Sequence, residues 1–536
     1  MLEQVTKAEP GLFKLPRLYV DYVSGNVAGG VESPEIFGIG GGPHRAPTGP
    51  GAGGHLWKEV LDYNSRLGAG QSTLQNARAL LEGQAVPVLT GQQPGLFGGP
   101  LYTLYKVLTA AALSESLSSK GETTAVPVLW NASDDSDFEE VSTASFFDRD
   151  LSRKSVSLPS SLHFPGRMVG TVPAGAIESA LETLREGFQY ARNADFTLQQ
   201  VGDALAVSRD MGEFFSALFL RVAASTGVVV VDARLSSVLE NSKSVIGAYL
   251  KDSRSVEREV LETLKILRDA GYGEPVSARS AEVCVFLRDG ETRQKVSRDD
   301  LRGVRGEWER GAVELLPNVL LGPVVRGQVT GAVAGVLGPS EISYSFVTSA
   351  VCRVLELGQA PVFPRLSMTV VPRDLTALLE SDSATLADLV VAFDETARRY
   401  FRRSLPENVR KELDRLPDKV LAALEGVARL AAGAGRNVEQ VLSSSRRKME
   451  FETKRVRDAF EASYRKDALG KRPALRWGRE MLAPRGTLQE RSFCCLAPIL
   501  HSDQSFISGV QDVARAHVEE CLEGRVHHYI AVVDIP

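Results

Sequence analysis

The sequence predicts an α/β protein with a mostly parallel sheet, helical inserts and a long helical arm. Three observations predict it. Strand, glycine loop, helix and strand follow one another from Gln84 to Asp135, short apolar runs of strand length recur downstream, and apolar residues keep three- and four-residue spacing from Asp418 to about Lys466. At 536 residues the chain exceeds the ~250 to 300 at which single cores stop growing, so more than one structural unit is expected.

The first element is a βαβ unit. AVPVLT reads as a buried strand, GQQPGLFGG as a loop, PLYTLYKVLTAAALSESL as a helix and AVPVLWNASDD as the next strand with its loop. Leu101, Leu104, Leu108, Ala111 and Ala112 place one face of that helix on a sheet, and Pro100 suits its first turn. GVVVVD (Gly227 to Asp232) reads as another buried strand, and NVLLGPVV and APVFPRLSMTVV are expected to complete the sheet. Ala176 to Thr226 and Val245 to Tyr272 read as helical inserts, EVCVFLRDGETRQKV as a hairpin turning at Asp289-Gly290, and YIAVVDI as a closing strand.

The arm follows from Val420, Leu424, Val427, Ala431, Ala434, Val438 and Leu442, whose spacing suggests a coiled coil, with Gly433 and Gly435 marking a break or kink. The expected organisation is a first part of the core over 1–150, its continuation with inserts over 151–310, and a second part over 311–400. The arm takes 401–470, and a segment over 471–536 returns to the core. Gly25 to Gly54 reads as a surface loop. Gly49, Gly51 and Gly54 satisfy G-x-G-x-x-G there, but no apolar strand precedes them, so they read as a chance match.

Composition excludes several functions. The formal net charge of -5 gives no general basic field for nucleic acid, and glutamates interrupt the basic run SSSRRKMEFETKRVR, which reads as a solvated helix face. No apolar run reaches the roughly 20 residues that span a bilayer, and the first residues lack a secretory pattern, so a cytoplasmic location is expected. Cys284, Cys352, Cys494, Cys495 and Cys521 lack C-x-x-C spacing and read as core thiols. The seven histidines are scattered, with His527 and His528 on opposite faces of a strand, so no metal site is expected.

Three constellations carry chemistry. TGQQPGLFGGPLYTLYK, Thr90 to Lys106, ends a strand, lets glycine backbone approach a ligand and aims a helix N-terminus at a crevice suited to phosphate or carboxylate. Lys106 either reaches back toward that crevice or is solvated, and Tyr102 and Tyr105 read as packing residues. WNASDDSDFEE packs Asp134, Asp135, Asp137, Glu139 and Glu140 into one loop, as a general base, a Mg²⁺ holder or a solvated acidic helix start. GPSEISYSF carries Gly338, Glu341 and Tyr344. Arg365 in the following apolar stretch is either an anion ligand or a structural pair with an acid such as Glu341. No Walker A loop, H-x-G-H or K-M-S-K-S motif is present.

TGQQPGLFGGPLYTLYK followed by PVLWNASDDSDFEEV, then GPSEISY, PVFPRLSMTVV and GTLQERSF, with PRLYVDYVSGN near the start, resembles in this order the cysteine ligases of bacillithiol synthesis. The similarity spans almost the whole chain. It implies a Rossmann-like core similar to that of class I aminoacyl-tRNA synthetases, connecting inserts and a homodimer through a coiled-coil arm. The implied activity adds cysteine to glucosaminyl-malate by amide formation, with ATP as the activating reagent and Mg²⁺ accompanying the nucleotide. Thr90, Gly91, Gln92 and Gln93 would then shape the crevice, Gly98 and Gly99 would admit a phosphate or carboxylate, and Asp134, Asp135 or Asp137 would accept a proton. Tyr102, Lys106, Asn131, Ser133, Gly338, Glu341, Tyr344, Arg365 and Ser367 complete the implied binding set.

Two positions depart from the family pattern. Ser136 stands where the family usually has His, and GPVVRG (Gly322 to Gly327) stands where it has R-P-x-x-Q-D. An adenylate-forming or nucleotidyl-transfer protein with another amine acceptor, and a catalytically impaired dimeric scaffold, are the competing readings.

Overall fold

The computed structural model describes residues 2–36, 54–121, 124–148, 150–376, 385–403, 405–431, 438–471, 473–503 and 505–535. Gly49 and Gly51 of the glycine-rich stretch, and Gly433 and Gly435 of the arm, lie outside the described residues. The chain divides into two compact units. One comprises Met1–Asp148, Arg153–Val370 and Gly486–Ile535, the other Val371–Arg485 with Arg149–Ser152 and Pro536.

The first unit is built on a five-stranded parallel sheet in the order Val362–Pro364, Ala334–Leu337, Ala85–Gln92, Thr124–Asn131, Val229–Asp232. Its central pair runs in register from Ala85 opposite Thr124 to Gln92 opposite Asn131. From Ala125 to Asn131 every residue is buried, as a strand covered on both faces requires. Val126, Val128, Val229 and Val231 pack with Tyr249, Leu264 and Phe346 in the core on one side.

Between the central strands runs the helix Leu101–Lys120. It is buried on all sides from Leu101 to Ser114 rather than on one face, because the helix Ser505–Leu522 covers the side away from the sheet. The insert after Gly170 is helical, as its apolar spacing predicts, with helices Ala174–Phe188, Ala194–Ala206, Met211–Val222 and Ser236–Asp269. The hairpin Val285–Asp289 with Thr292–Lys295 turns at Gly290, whose φ of +56° suits glycine, and gains a third strand, Glu314–Pro317.

One expected strand is a helix. NVLLGPVV leads into the helix Gly322–Thr330, because the Asn318 side chain accepts from the Leu320 and Leu321 amides at 2.9 and 3.2 Å and Pro323 sits in the first turn. The sheet takes Ala334–Leu337 in its place. APVFPRLSMTVV divides: Val362–Pro364 joins the parallel sheet, whereas Ser367–Pro372 forms a separate sheet with His528–Val533 and Leu2–Ala8.

The second unit is helical. Its two longest helices, Glu407–Ala431 and Val438–Lys471, pack on one another; Val420, Leu424 and Val427 of the expected stripe fall on the first, and Ala434 lies outside the described residues. A capping box, Thr385 with Asp388, starts the helix Leu386–Val391.

Candidate functional site

In chain order the parallel sheet grows outward from Ala85–Gln92 through Thr124–Asn131 to Val229–Asp232, then returns to place Ala334–Leu337 on the opposite side of Ala85–Gln92. Strand order therefore reverses beside that first strand. Open α/β sheets bind ligands in the crevice at such a reversal, outside the carboxyl ends of the strands. A cavity of about 840 Å³ opens there, lined by Gly91, Gln92 and Gln93 after one strand, Asp134 and Asp135 after the next, and Gly338 after the returning one. Tyr102, Lys106, Glu341, Tyr344 and Arg365 of the expected set also line it.

Lys106 ties the two sides of the reversal together. Only 3% of it is exposed, and its ammonium donates to Gly91 O at 2.8 Å and Gln92 Oε1 at 3.0 Å while pairing with Glu341 Oε2 at 2.6 Å. Its placement settles the choice left open by its spacing: it turns back to the crevice. Burial lowers the Lys106 pKa, and Glu341 opposes that shift. Glu341 also accepts from the Gly338 amide at 2.8 Å, so the helix Pro339–Val354 starts with its acid directed at Lys106. Tyr102 packs and faces the cavity at once. Gln92 Nε2 donates to its hydroxyl at 3.2 Å, the Lys106, Arg365 and Arg491 cations lie 5.3 to 5.8 Å from its ring centroid, and burial pushes its pKa up to about 12.

The acidic loop faces this assembly, and its three aspartates differ in role. Asp135 is fully engaged: it accepts from Gln93 Nε2 at 2.7 Å and from the Ser136 amide at 2.6 Å, and pairs with Arg293 from the hairpin. Asp137 caps the short helix Phe138–Val141 by accepting from the Glu140 amide at 3.2 Å, and lies on a shallower neighbouring depression with Ser136 and His163. Asp134 lines the main cavity, and its pKa is raised, by burial first and by Asp135 among its neighbours, with Arg293 opposing. Glu140 is raised by partial burial and then by Asp137 and Asp135.

Arg365 pairs with Glu490 at 2.5 Å rather than with Glu341. Glu341 is taken by Lys106, and Glu490 arrives from the distant GTLQERSF segment. Glu490 also accepts from Ser367 Oγ and the Met368 amide, both at 3.0 Å. His528 bridges Ser367 and Thr369 at 2.9 Å each. Burial pushes Glu490 up, yet Arg365 and these hydrogen bonds hold it below its ordinary pKa.

Several expected residues lie off the cavity. Ser367 belongs to the buried Glu490 network. Thr90 is buried and donates to Val336 O at 2.9 Å, joining neighbouring strands. Asn131 donates to Gly212 O at 2.8 Å and Ser216 Oγ at 2.9 Å, and Ser133 donates to Asp232. Gly98 and Gly99 face protein: a Cβ on Gly98 would lie 2.5 Å from Cys495 Sγ, and one on Gly95 would lie 2.4 Å from Gly99 Cα. The amide of Leu101, at the start of the helix, donates to Phe493 O at 2.8 Å, so this helix end is partly satisfied by protein instead of an anion.

Five arginines on the cavity escaped sequence reasoning: Arg279, Arg293, Arg298, Arg326 and Arg491. Arg293 comes from the hairpin, Arg491 from GTLQERSF, and Arg326 from the helix that replaces an expected strand. Arg326 lies one turn beyond Gly322, on the same helix face. The arrangement can bind an acidic substrate and take up a proton at Asp134. Among the described residues no group of three His, Cys, Asp or Glu side chains is placed to hold a metal ion. All five thiols are buried, and burial raises Cys284 and Cys352 to about 12.

A family model described as bacillithiol biosynthesis BshC, N-terminal Rossmann-like domain, matches residues 51–366. The chain is similar to BshC proteins named as candidate cysteine ligases. That of Bacillus cytotoxicus is 26% identical over 378 residues, covering 67% of this chain and 69% of the relative. That of Bacillus cereus is 26% identical over 338 residues, covering 60% and 62%, and that of Oceanobacillus iheyensis 24% over 436 residues, covering 76% and 80%.

Proposed function

The chain belongs to the bacillithiol biosynthesis BshC family, and from that premise we propose that it is a ligase joining cysteine to glucosaminyl-malate through an amide bond, with ATP, as the last step of bacillithiol synthesis. The observation that carries the reading is the cavity at the strand-order reversal, where Lys106, Glu341 and the acidic loop surround one space.

ATP supplies the activation that the cysteine carboxylate needs before an amine can displace one of its oxygens. Arg279 and Lys295, cations on the cavity wall, would meet its phosphates. Lys106 fixes the backbone of Gly91 and the side chain of Gln92, which shape the floor. Asp134 accepts the proton of the sugar ammonium, because burial makes it a stronger base than an exposed aspartate. Arg293 and Gln93 hold Asp135, and with it the loop that presents Asp134. With Ser136 in place of the family's imidazole, the base is a carboxylate in this reading.

The same reading places the enzyme in the cytoplasm and pairs two copies through the arm. No helix of the described residues is long and apolar enough to cross a membrane. Val427, Leu430, Val441 and Phe451 expose 60 to 90% of their surface on the two long helices, which supports the pairing. Light scattering checks it: a dimer mass is expected, and a monomer at micromolar concentration removes it.

The activity is tested by incubating the purified chain with cysteine, ATP and glucosaminyl-malate and weighing the products. The condensed thiol is expected. A folded chain that leaves all three reactants unchanged contradicts the proposal.

A further inference from the structure

On the cavity wall Lys106, Arg365 and Arg293 are each paired with a carboxylate: Glu341, the buried Glu490 behind the wall, and Asp135. Arg279, Lys295, Arg491 and Arg326 also line the cavity and form no ion pair among the described residues; the first three are exposed, whereas Arg326 is partly withdrawn from water. Its guanidinium stands beside the end of the Ala85–Gln92 strand, where a Cβ on Gly91 would come within 3.6 Å of Nη1.

The neighbours sharpen the point. Arg326 acts on Lys106 as a like charge, adding to the burial that lowers the Lys106 pKa. It also faces the Tyr344 hydroxyl, whose pKa burial raises and Arg326 counteracts. Glu341, the acid nearest Lys106, already bonds Lys106 and the Gly338 amide, and forms no ion pair with Arg326 among the described residues. The Arg326 guanidinium thus has no carboxylate partner of its own and can take a further anion.

We infer that Arg326 is a specificity residue that receives an oxyanion of the substrate, a carboxylate or a phosphate, in the two-pronged geometry of a guanidinium. The identity of the substrate rests on the ligase reading; the binding of an oxyanion does not. Both sources exist within that reading, since the acceptor carries malate carboxylates and the nucleotide carries phosphates. Arginine suits either because its planar fork matches both.

The test is calorimetric titration of the full chain with L-malate, inorganic phosphate and ATP, each alone, for the native protein, Arg326→Gln and Arg326→Lys. The native protein is expected to bind at least one probe, and Arg326→Gln to weaken that probe about tenfold to hundredfold. Arg326→Lys, keeping charge without the fork, is expected to fall between the two. Weakening of malate alone assigns the acceptor end, and weakening of phosphate and ATP assigns the nucleotide. Should Arg326→Gln fail to fold, the lysine variant decides: weaker binding than native supports the assignment and equal binding overturns it. Failure of all three probes to bind the native chain, or unchanged affinities in Arg326→Gln, also overturns it. Because titration requires no turnover, an absence of ligation would count against the proposed function alone.

Discussion

Lys106 and Glu341 meet at 2.6 Å across the point where the strand order reverses, joining the helix that follows one central strand to the helix that follows its neighbour on the other side. Removing the ammonium as Lys106→Met would leave Glu341 facing the cavity without its partner and release Gly91 O and Gln92 Oε1. Breaking a buried pair from one side costs about 3 to 5 kcal/mol. Urea unfolding is expected to show a loss of that order, and the double variant Lys106→Met with Glu341→Gln to recover part of it.

Asp134 faces the main cavity, and burial raises its pKa. Asp134→Asn is expected to lower the ligation rate by about a hundredfold to ten-thousandfold with little change in stability. A base works deprotonated, so the native rate is expected to rise with pH through the raised Asp134 pKa, and that limb to vanish in the variant. A pH profile of kcat checks both.

Gly98 serves packing. Its φ of +90° and the 2.5 Å from its would-be Cβ to Cys495 Sγ leave no room for a methyl group. Gly98→Ala is expected to cost at least about 2 kcal/mol. The ATP affinity of the folded protein is expected to stay unchanged, as measured by calorimetry beside thermal unfolding.

His517 and His528 are buried, and burial lowers both to about 4. Unfolded histidine titrates near ~6.5, so on acidification the unfolded chain takes up protons first. The stability that each contributes is complete above that value and is lost as pH falls toward 4, by up to about 3 kcal/mol each. Urea midpoints are expected to fall between pH 7 and 4.5, and to fall less in a folded His517→Asn, His528→Gln double variant.

Local signals made the centre of the fold legible. Strand, glycine turn, helix and strand lie consecutively in the chain, and the loops that carry Gln93 and Asp135 follow adjacent parallel strands. NVLLGPVV misled because a short apolar run has no period of its own, and the Asn318 turn that leads into the helix is held through a single side chain. The partner of Arg365 was hidden for another reason. Glu490 lies 125 positions away and Arg293 lies 158 from Asp135, distances over which spacing carries no information. Residues whose role comes from long-range packing, such as Arg326, emerge only once the helices are placed.

A crystal structure of the chain soaked with glucosaminyl-malate decides where the acceptor binds. The ligand is expected in the cavity between Gly91–Gln93 and Asp134, with its amine directed toward the Asp134 carboxylate. Ligand density at a different surface, with this cavity holding only solvent, would contradict that placement.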